Sequence, residues 1–272
     1  MTIAICVKVY DGVVLASDSA GTILNASGEV WNVYNYANKI FNLYKGLPIG
    51  AVTWGSGNIG DLSISTLVKD FRKKLASSDP DYQIDKENYT IEEVVDKFLQ
   101  FMYVENYLEA YNDLDDEDKP YIGFYIAGYS ANGTHPEVYR LDIGFGDFKK
   151  SEVDSPLAWD GEYEVISRIV KGYSPMLLDV LSELGIQEDM LQDLSRYLSE
   201  RLEITLVHPA MPIQDAIDLA DFLVDTAIKF ARFRPGAPTI GGPIEIAAIT
   251  KHEGFKWVKR KHYYSRELNP ER

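Results

Sequence analysis

The start of the chain alternates between large apolar side chains and small or polar ones, which is the pattern of a strand. The apolar positions are Ile3, Ile5, Val7 and Val9. Because successive side chains of a strand point to opposite faces, this period of two predicts a strand with one strongly apolar face. Asp11-Gly12 then predicts a tight turn, and residues 13–18 predict a returning strand. The chain therefore opens with a hairpin that leaves Thr2 at the beginning of a strand.

The rest of the chain predicts a mixture of strands and helices. Further strands are predicted at 39–43, 49–54, 121–128, 137–143, 244–250 and 255–260. Helices are predicted at 59–75, from residue 90 onward, and at 163–171, 176–184, 188–201 and 213–233. Thr90-Ile91-Glu92-Glu93 has the pattern of a capping box. The order of elements predicts one α+β domain over residues 1–272, with helices stacked outside two sheets.

Composition and charge exclude several classes of function. There are 42 acidic and 27 basic residues, a formal net charge of −15, and such a surface disfavours nucleic acid and anionic membranes. Cys6 is the only cysteine and the four histidines lack ligand spacing, so we expect no metal and no other cofactor. No apolar run has the roughly 18–20 residues that span a bilayer, and no signal peptide is evident. We expect a soluble cytoplasmic protein.

Thr2 is the residue whose position suggests chemistry. Methionine before a small residue is normally removed, so we expect loss of Met1 to leave Thr2 with a free α-amine beside its own hydroxyl. The amine, with an ordinary pKa near ~8, can accept the hydroxyl proton directly or through water. A nearby lysine would keep the amine neutral by charge repulsion, and an aspartate would hold that lysine. A nucleophile of this kind needs no histidine.

The chain resembles proteasome β-subunits in the order of several motifs. Thr2-Ile3-Ala4, then 11–19 (DGVVLASDS), then Asn38-Lys39-Ile40 are similar to the family pattern of an N-terminal threonine, a Gly-Val-Val-Leu-Ala-x-Asp strand and a later Lys-Ile. The similarity is densest over about the first 60 residues, extends to the helix at 213–233 and Gly241-Gly242, and favours the bacterial ancestral β-subunit branch. The resemblance implies an N-terminal nucleophile hydrolase with a four-layer αββα sandwich. Residues around 172–212 would be a helical insertion.

The resemblance also implies roles for individual residues. Thr2 would be the nucleophile, Asp18 the aspartate and Lys39 the lysine. Thr22 would pair its backbone with an extended substrate, and Val52 and Thr53 would line the first specificity pocket. A backbone N–H of Gly55, or alternatively of Gly57, would form the oxyanion hole at the start of the first helix.

The residues expected around this triad depart from the family pattern. Ala20 stands where the family usually has an arginine, two residues after the aspartate and next to Ser19. Asp160 occupies the position of a serine near the threonine amine, where its negative charge would raise the pKa of that amine. Thr239 is the only hydroxyl in the segment where the family has an aspartate and a serine. These changes put activity in question more than fold.

Three functional hypotheses follow from the resemblance. The leading one is a threonine peptidase acting on peptides or unfolded proteins inside a homo-oligomeric ring or helical ring, with an unknown ATP-dependent unfoldase as a possible partner. The second is a proteasome-like scaffold or assembly protein with little or no activity. The third is an N-terminal nucleophile amidase acting on small amides.

Overall fold

A computed structural model describes residues 2–25 and 27–261 and has the predicted α+β class. The strands are β1 (Ile3–Val9), β2 (Gly12–Ser17), β3 (Gly21–Leu24), β4 (Val30–Tyr34), β5 (Ile40–Asn42), β6 (Ile49–Gly55), β7 (Asn58–Ile59), β8 (Leu62–Ser63), β9 (Ile122–Gly128), β10 (Glu137–Gly144), β11 (Asp147–Glu152), β12 (Leu157–Gly161), β13 (Glu245–Thr250) and β14 (Gly254–Lys259). The helices are α1 (Ile64–Leu75), α2 (Ile91–Leu99), α3 (Leu108–Ala110), α4 (Glu164–Lys171), α5 (Leu177–Glu183), α6 (Glu188–Leu202) and α7 (Ile213–Phe233). A π-helical segment, Gln100–Tyr107, joins α2 to α3. None of the helices in the described residues is long and apolar enough to cross a bilayer.

Two five-stranded antiparallel sheets form the centre of the protein. The first has the strand order β12-β1-β2-β13-β14 and the second has the order β11-β10-β9-β6-β5. β1 and β2 form the predicted opening hairpin, but Gly12 already belongs to β2. A Cβ at Gly12 would lie 2.5 Å from the carbonyl oxygen of Ile249 on β13. This glycine therefore allows two strands to approach closely, rather than forming the turn itself.

The apolar side chains form three cores that follow the predicted alternation of β1. Ile3, Ile5 and Val7 pack with α4 and α7 on one face of the first sheet. Ala4 and Cys6 point to the other face, in the core that the two sheets share. The third core lies between the second sheet and the helical layer of α1 and α2. Burial raises the pKa of the Cys6 thiol to about 12, as expected for a structural thiol.

The predicted helices are present, with one difference that affects the site. Thr90 caps α2 by accepting a hydrogen bond from the backbone N–H of Glu93, at 3.0 Å, and α7 has the predicted bounds. α1 begins at Ile64 instead of Ile59, because the short hairpin of β7 and β8 comes first. The hydroxyl of Ser63 caps α1 by accepting from the backbone N–H of Thr66 at 3.1 Å. Serine is a favoured N-cap residue, so Ser63 already indicated this helix start in the sequence. The apolar periodicity favoured an earlier start.

Candidate active site

A cavity of about 440 Å³ lies at the beginning of β1, beside the end of β6 and the first turn of α1. Five predicted site residues line it: Thr2, Thr22, Lys39, Thr53 and Gly55. Residues separated by up to about fifty positions in the sequence thus face one cavity, and the structure brings these five predicted residues together.

Asp18 connects Lys39 to the residue that follows Thr2. The same carboxylate oxygen, Oδ1, accepts a hydrogen bond from the backbone N–H of Ile3 at 3.1 Å and from Nζ of Lys39 at 2.6 Å. The other oxygen, Oδ2, accepts from the backbone N–H groups of Ala20 at 3.0 Å and Gly241 at 2.9 Å. Four donors thus hold this fully buried carboxylate in one orientation. Asp18 is therefore a fixed anchor between β1 and the Lys39 ammonium.

Lys39 is a buried cation whose charge is matched by Asp18. Burial lowers the pKa of Lys39, and the charge of Asp18 together with their hydrogen bond opposes that shift. The side chains of Lys39 and Asp18 are 6% and 0% exposed, so solvent screens the pair little. The charged residues that line the cavity are both lysines, Lys39 and Lys69. Positive charge of this kind lowers the pKa of a nearby amine and favours its neutral form.

β12 holds the backbone of Thr2 tightly. Ile3 lies opposite Gly161 in the β1–β12 register, and the N–H of Glu162 donates to the carbonyl oxygen of Thr2 at 2.6 Å. A Cβ at Gly161 would lie 1.9 Å from that carbonyl oxygen, and Gly161 has a φ of 86°. Only glycine allows this approach in this conformation. The position of Thr2 thus depends on a glycine far along the chain.

Replacing Gly161 by alanine is expected to lower the free energy of unfolding much more than the same change at Gly185. Gly185 has nearly the same φ, 87°, but a Cβ there would meet no atom within 4 Å. Gly185→Ala, the control, should lower the free energy of unfolding by about 1 kcal/mol through backbone strain alone. Gly161→Ala should lose about 2 kcal/mol more, because the backbone at Thr2 must move. Urea unfolding measures both, and equal losses would contradict the close approach at Thr2.

The two candidate oxyanion glycines, Gly55 and Gly57, both line the cavity, but neither is at the start of a helix. Gly55 ends β6 with a φ of 84°, and a Cβ there would lie 2.4 Å from the carbonyl oxygen of Tyr121. The expected helix start is wrong because β7 and β8 intervene before α1. The first turn of α1 still reaches the cavity through Ile64, Ser65 and Thr66. The positive end of that helix dipole therefore faces the site from another side.

Thr22 lies on β3, which pairs on one side with β4 in a two-stranded sheet. Its hydroxyl donates to the carbonyl oxygen of Thr239 at 3.1 Å, so its side chain is held in place. An edge strand beside a cavity can accept an extended peptide as an additional strand. This geometry is compatible with the substrate-pairing role expected of Thr22.

The remaining predicted residues lie outside the cavity lining. Val52 is fully buried in the core between the sheets, because alternate residues of β6 point to opposite faces and Thr53 faces the cavity. Thr239 lines a second cavity of about 430 Å³ together with Gly161. The hydroxyl of Ser19 donates to the carbonyl oxygen of Pro243 at 2.7 Å. Met1, whose removal is expected, lies outside the described residues.

Asp160 belongs to a charged cluster between the sheets. Its Oδ1 lies 3.0 Å from Nη2 of Arg140, and its Oδ2 accepts a hydrogen bond from the hydroxyl of Tyr125. Burial raises the pKa of Asp160, against the opposing effects of Tyr125 and Arg140. Because Arg140 compensates its charge, Asp160 should raise the pKa of the Thr2 amine less than the sequence suggested. Because Arg140 lies on another strand, distant from Asp160 in the sequence, no sequence motif indicated this pairing.

Sequence reasoning also missed Lys261. Its side chain is buried, and its Nζ donates to the hydroxyl of Ser19 at 2.7 Å. A lone lysine near the end of the chain has no motif that could place it beside Asp18.

Comparison with known proteins shows similarity in structure but not in sequence. No protein-family model matches the chain, and no curated protein matches it. A solved structure of Anbu (ancestral beta-subunit) from Yersinia bercovieri is similar over 96% of this chain and 89% of that one, with a TM-score of 0.56 and 14% identity. The chain has the fold of that protein. A structure titled as the helical assembly of the Anbu complex from Pseudomonas aeruginosa is similar over 98% of this chain and 90% of that one, with a TM-score of 0.55 and 14% identity.

Proposed function

We propose that the protein is a proteasome-like threonine peptidase of the ancestral β-subunit type, in which Thr2 attacks peptide bonds after Met1 has been removed. The observation that carries this proposal is the shared oxygen of Asp18. It binds both the N–H of the residue after Thr2 and the ammonium of Lys39, at a cavity that Thr2 and Lys39 both line. The two sheets with helices outside them support the αββα sandwich expected for N-terminal nucleophile hydrolases.

The proposed reaction is acyl transfer through the Thr2 hydroxyl. Oγ of Thr2 attacks the peptide carbonyl carbon while its proton passes to the neutral α-amine. The backbone N–H of Gly55 or of Gly57 stabilises the oxyanion of the tetrahedral intermediate. The C–N bond then breaks, the leaving amine takes the proton, and an ester to Thr2 remains. Water, deprotonated by the same α-amine, hydrolyses the ester and restores Thr2.

Lys39 and Asp18 serve this reaction through electrostatics. The Lys39 ammonium lowers the pKa of the Thr2 amine, so that a larger fraction of the amine is neutral and can accept a proton at pH 7. Asp18 holds the ammonium in place and, through the N–H of Ile3, fixes the start of β1. The amine thus works as a base without a histidine.

Substrate class and assembly are part of the same proposal. We take peptides or unfolded proteins as substrates, with the chain extended along β3 at Thr22 and a side chain beside Thr53. The Anbu complex from Pseudomonas aeruginosa forms a helical assembly, which supports a homo-oligomeric ring or helical ring for this protein. We place this oligomer in the cytoplasm. The helices α5 and α6, within 172–212, would be an insertion of the 1–272 domain. An ATP-dependent unfoldase would be the partner that unfolds proteins and delivers them to the site.

The deciding experiment compares the chain with and without a free Thr2 amine. Intact mass of protein from its native host should show that Met1 is absent. This Met1-free protein should hydrolyse fluorogenic peptides, whereas protein that carries an N-terminal extension should lose at least roughly 100-fold in kcat/KM, because its amine is blocked. Retained Met1 with no hydrolysis would instead support the scaffold function, and cleavage of small amides but not peptides would support the amidase.

A further inference from the structure

Lys261 and Glu245 form a buried ion pair that the proposed reaction does not use. Their side chains are both 3% exposed, and Nζ of Lys261 lies 2.6 Å from Oε2 of Glu245. The same ammonium donates to the hydroxyl of Ser19 and to the carbonyl oxygen of Ala37, each at 2.7 Å. An ammonium has three N–H groups, and here each has an acceptor. The lysine is therefore held in one orientation.

Two of the three contacts of Lys261, those with Ser19 and Ala37, connect the segments that carry Asp18 and Lys39. Ser19 directly follows Asp18, and Ala37 lies two residues before Lys39. The N–H of Ala37 also donates to the carbonyl oxygen of Ser19 at 2.9 Å, so the two segments already touch there. We propose that Lys261, two residues after the end of β14, is a positioning residue of the Thr2 site, because its ammonium ties the Asp18 segment to the Lys39 segment.

The charge of Lys261 acts in the same place as its hydrogen bonds. The charged groups that face Lys39 are Asp18, Lys261 and Glu245. Burial lowers the pKa of Lys39 most, and the positive charge of Lys261 lowers it further. The charged groups that face Lys261 are Glu245, Asp18 and Arg260. Ala20 offers no cation beside Asp18, so Lys261 supplies from a distant part of the chain a second positive charge that the sequence near Asp18 lacks.

The inference rests on the proposed function, since a positioning residue is defined by the reaction it supports. The test is the pH dependence of kcat/KM for a fluorogenic peptide, whose acid limb reports the pKa of the free Thr2 amine. Lys261→Met removes a cation, so the amine pKa should rise and the limb should move up by about one pH unit. Glu245→Gln removes an anion and should move the limb in the opposite direction.

A matched control separates this effect from the general loss of a lysine. Lys259→Met makes the same substitution on β14, where Lys259 pairs with Asp221 at the surface at 2.9 Å. In this variant the acid limb of the kcat/KM profile should stay at the wild-type pH. If the limbs of Lys261→Met and Glu245→Gln do not move in opposite directions, the inference is overturned, even if both variants are less stable.

Hydrogen exchange tests the inference without relying on activity. In Lys261→Met the N–H groups of Ile3 and Ala37 should exchange roughly tenfold faster, while that of Phe124 on β9 should not change. Absence of hydrolysis by wild-type protein would overturn the proposed function alone. Unchanged exchange at Ile3 and Ala37 would overturn the positioning role of Lys261 alone.

Discussion

Replacing Thr2 by alanine is expected to reduce kcat/KM for peptide hydrolysis by at least roughly 10⁴-fold, because it removes the oxygen that attacks in the proposed reaction. The side chain of Thr2 is buried, and alanine at this position keeps the backbone hydrogen bond from Glu162 and the free amine. The fold should therefore survive, with a cost in unfolding free energy of no more than about 1 kcal/mol. Rates with a fluorogenic peptide, measured on Met1-free protein, give the result.

Thr2→Ser is the matched control for this substitution. Serine keeps the hydroxyl and loses only the methyl group, so activity should remain measurable, and the free α-amine should be unaffected. Intact mass of each variant must show that Met1 is absent, since a blocked amine would mimic the loss of the hydroxyl. Equal rates for Thr2→Ala and the wild-type protein would place the chemistry elsewhere.

Replacing Lys39 by methionine is expected to reduce kcat/KM by roughly 10³-fold, because it removes the cation that, in the proposed reaction, keeps the Thr2 amine neutral at pH 7. The acid limb of the pH profile should also move to higher pH, since loss of a nearby positive charge raises the pKa of an amine. Methionine has nearly the same length as the lysine stem, so packing should change little. The measurement is the pH profile of kcat/KM below the unfolding temperature of the variant.

The same substitution leaves Asp18 without its counter-ion, which has its own effect on stability. Loss of one partner of a buried ion pair costs about 3–5 kcal/mol, reduced here by the three backbone N–H groups that Asp18 retains. Lys73→Met is the control, because Lys73 forms a surface pair with Asp70 at 2.7 Å and should change stability by less than about 0.5 kcal/mol. A stable Lys39→Met variant with wild-type kcat/KM would refute the electrostatic role.

The features that sequence predicted well are those set by neighbouring residues. The alternation of β1 assigned Ile3 and Ile5 to one face and Ala4 and Cys6 to the other, because the period of a strand is a local property. The cap at Thr90 and the bounds of α7 followed from local hydrogen bonding and apolar spacing. The start of α1 was misplaced because the apolar stripe continues through the small hairpin that precedes it.

The features that sequence predicted poorly depend on contacts between distant segments. The face of β6 decides that Thr53, and not Val52, reaches the cavity. The pairing of Asp160 with Arg140 joins β12 to β10, and no spacing rule connects them. Such pairs form only when the sheets stack, so their effect on charge cannot be read from residue type alone.

Thr2, Asp18 and Lys39 could be named from the sequence by itself, because their order follows the resemblance to proteasome β-subunits and their residue types suit an amine-assisted hydroxyl. Only the tertiary structure decided that one carboxylate oxygen joins β1 to Lys39, that Gly161 holds the backbone of Thr2, and that Lys261 reaches Ser19 from the far end of the chain. The reason is physical: residue types set which interactions are possible, whereas burial and distance, which set their strength, exist only after the sheets have packed.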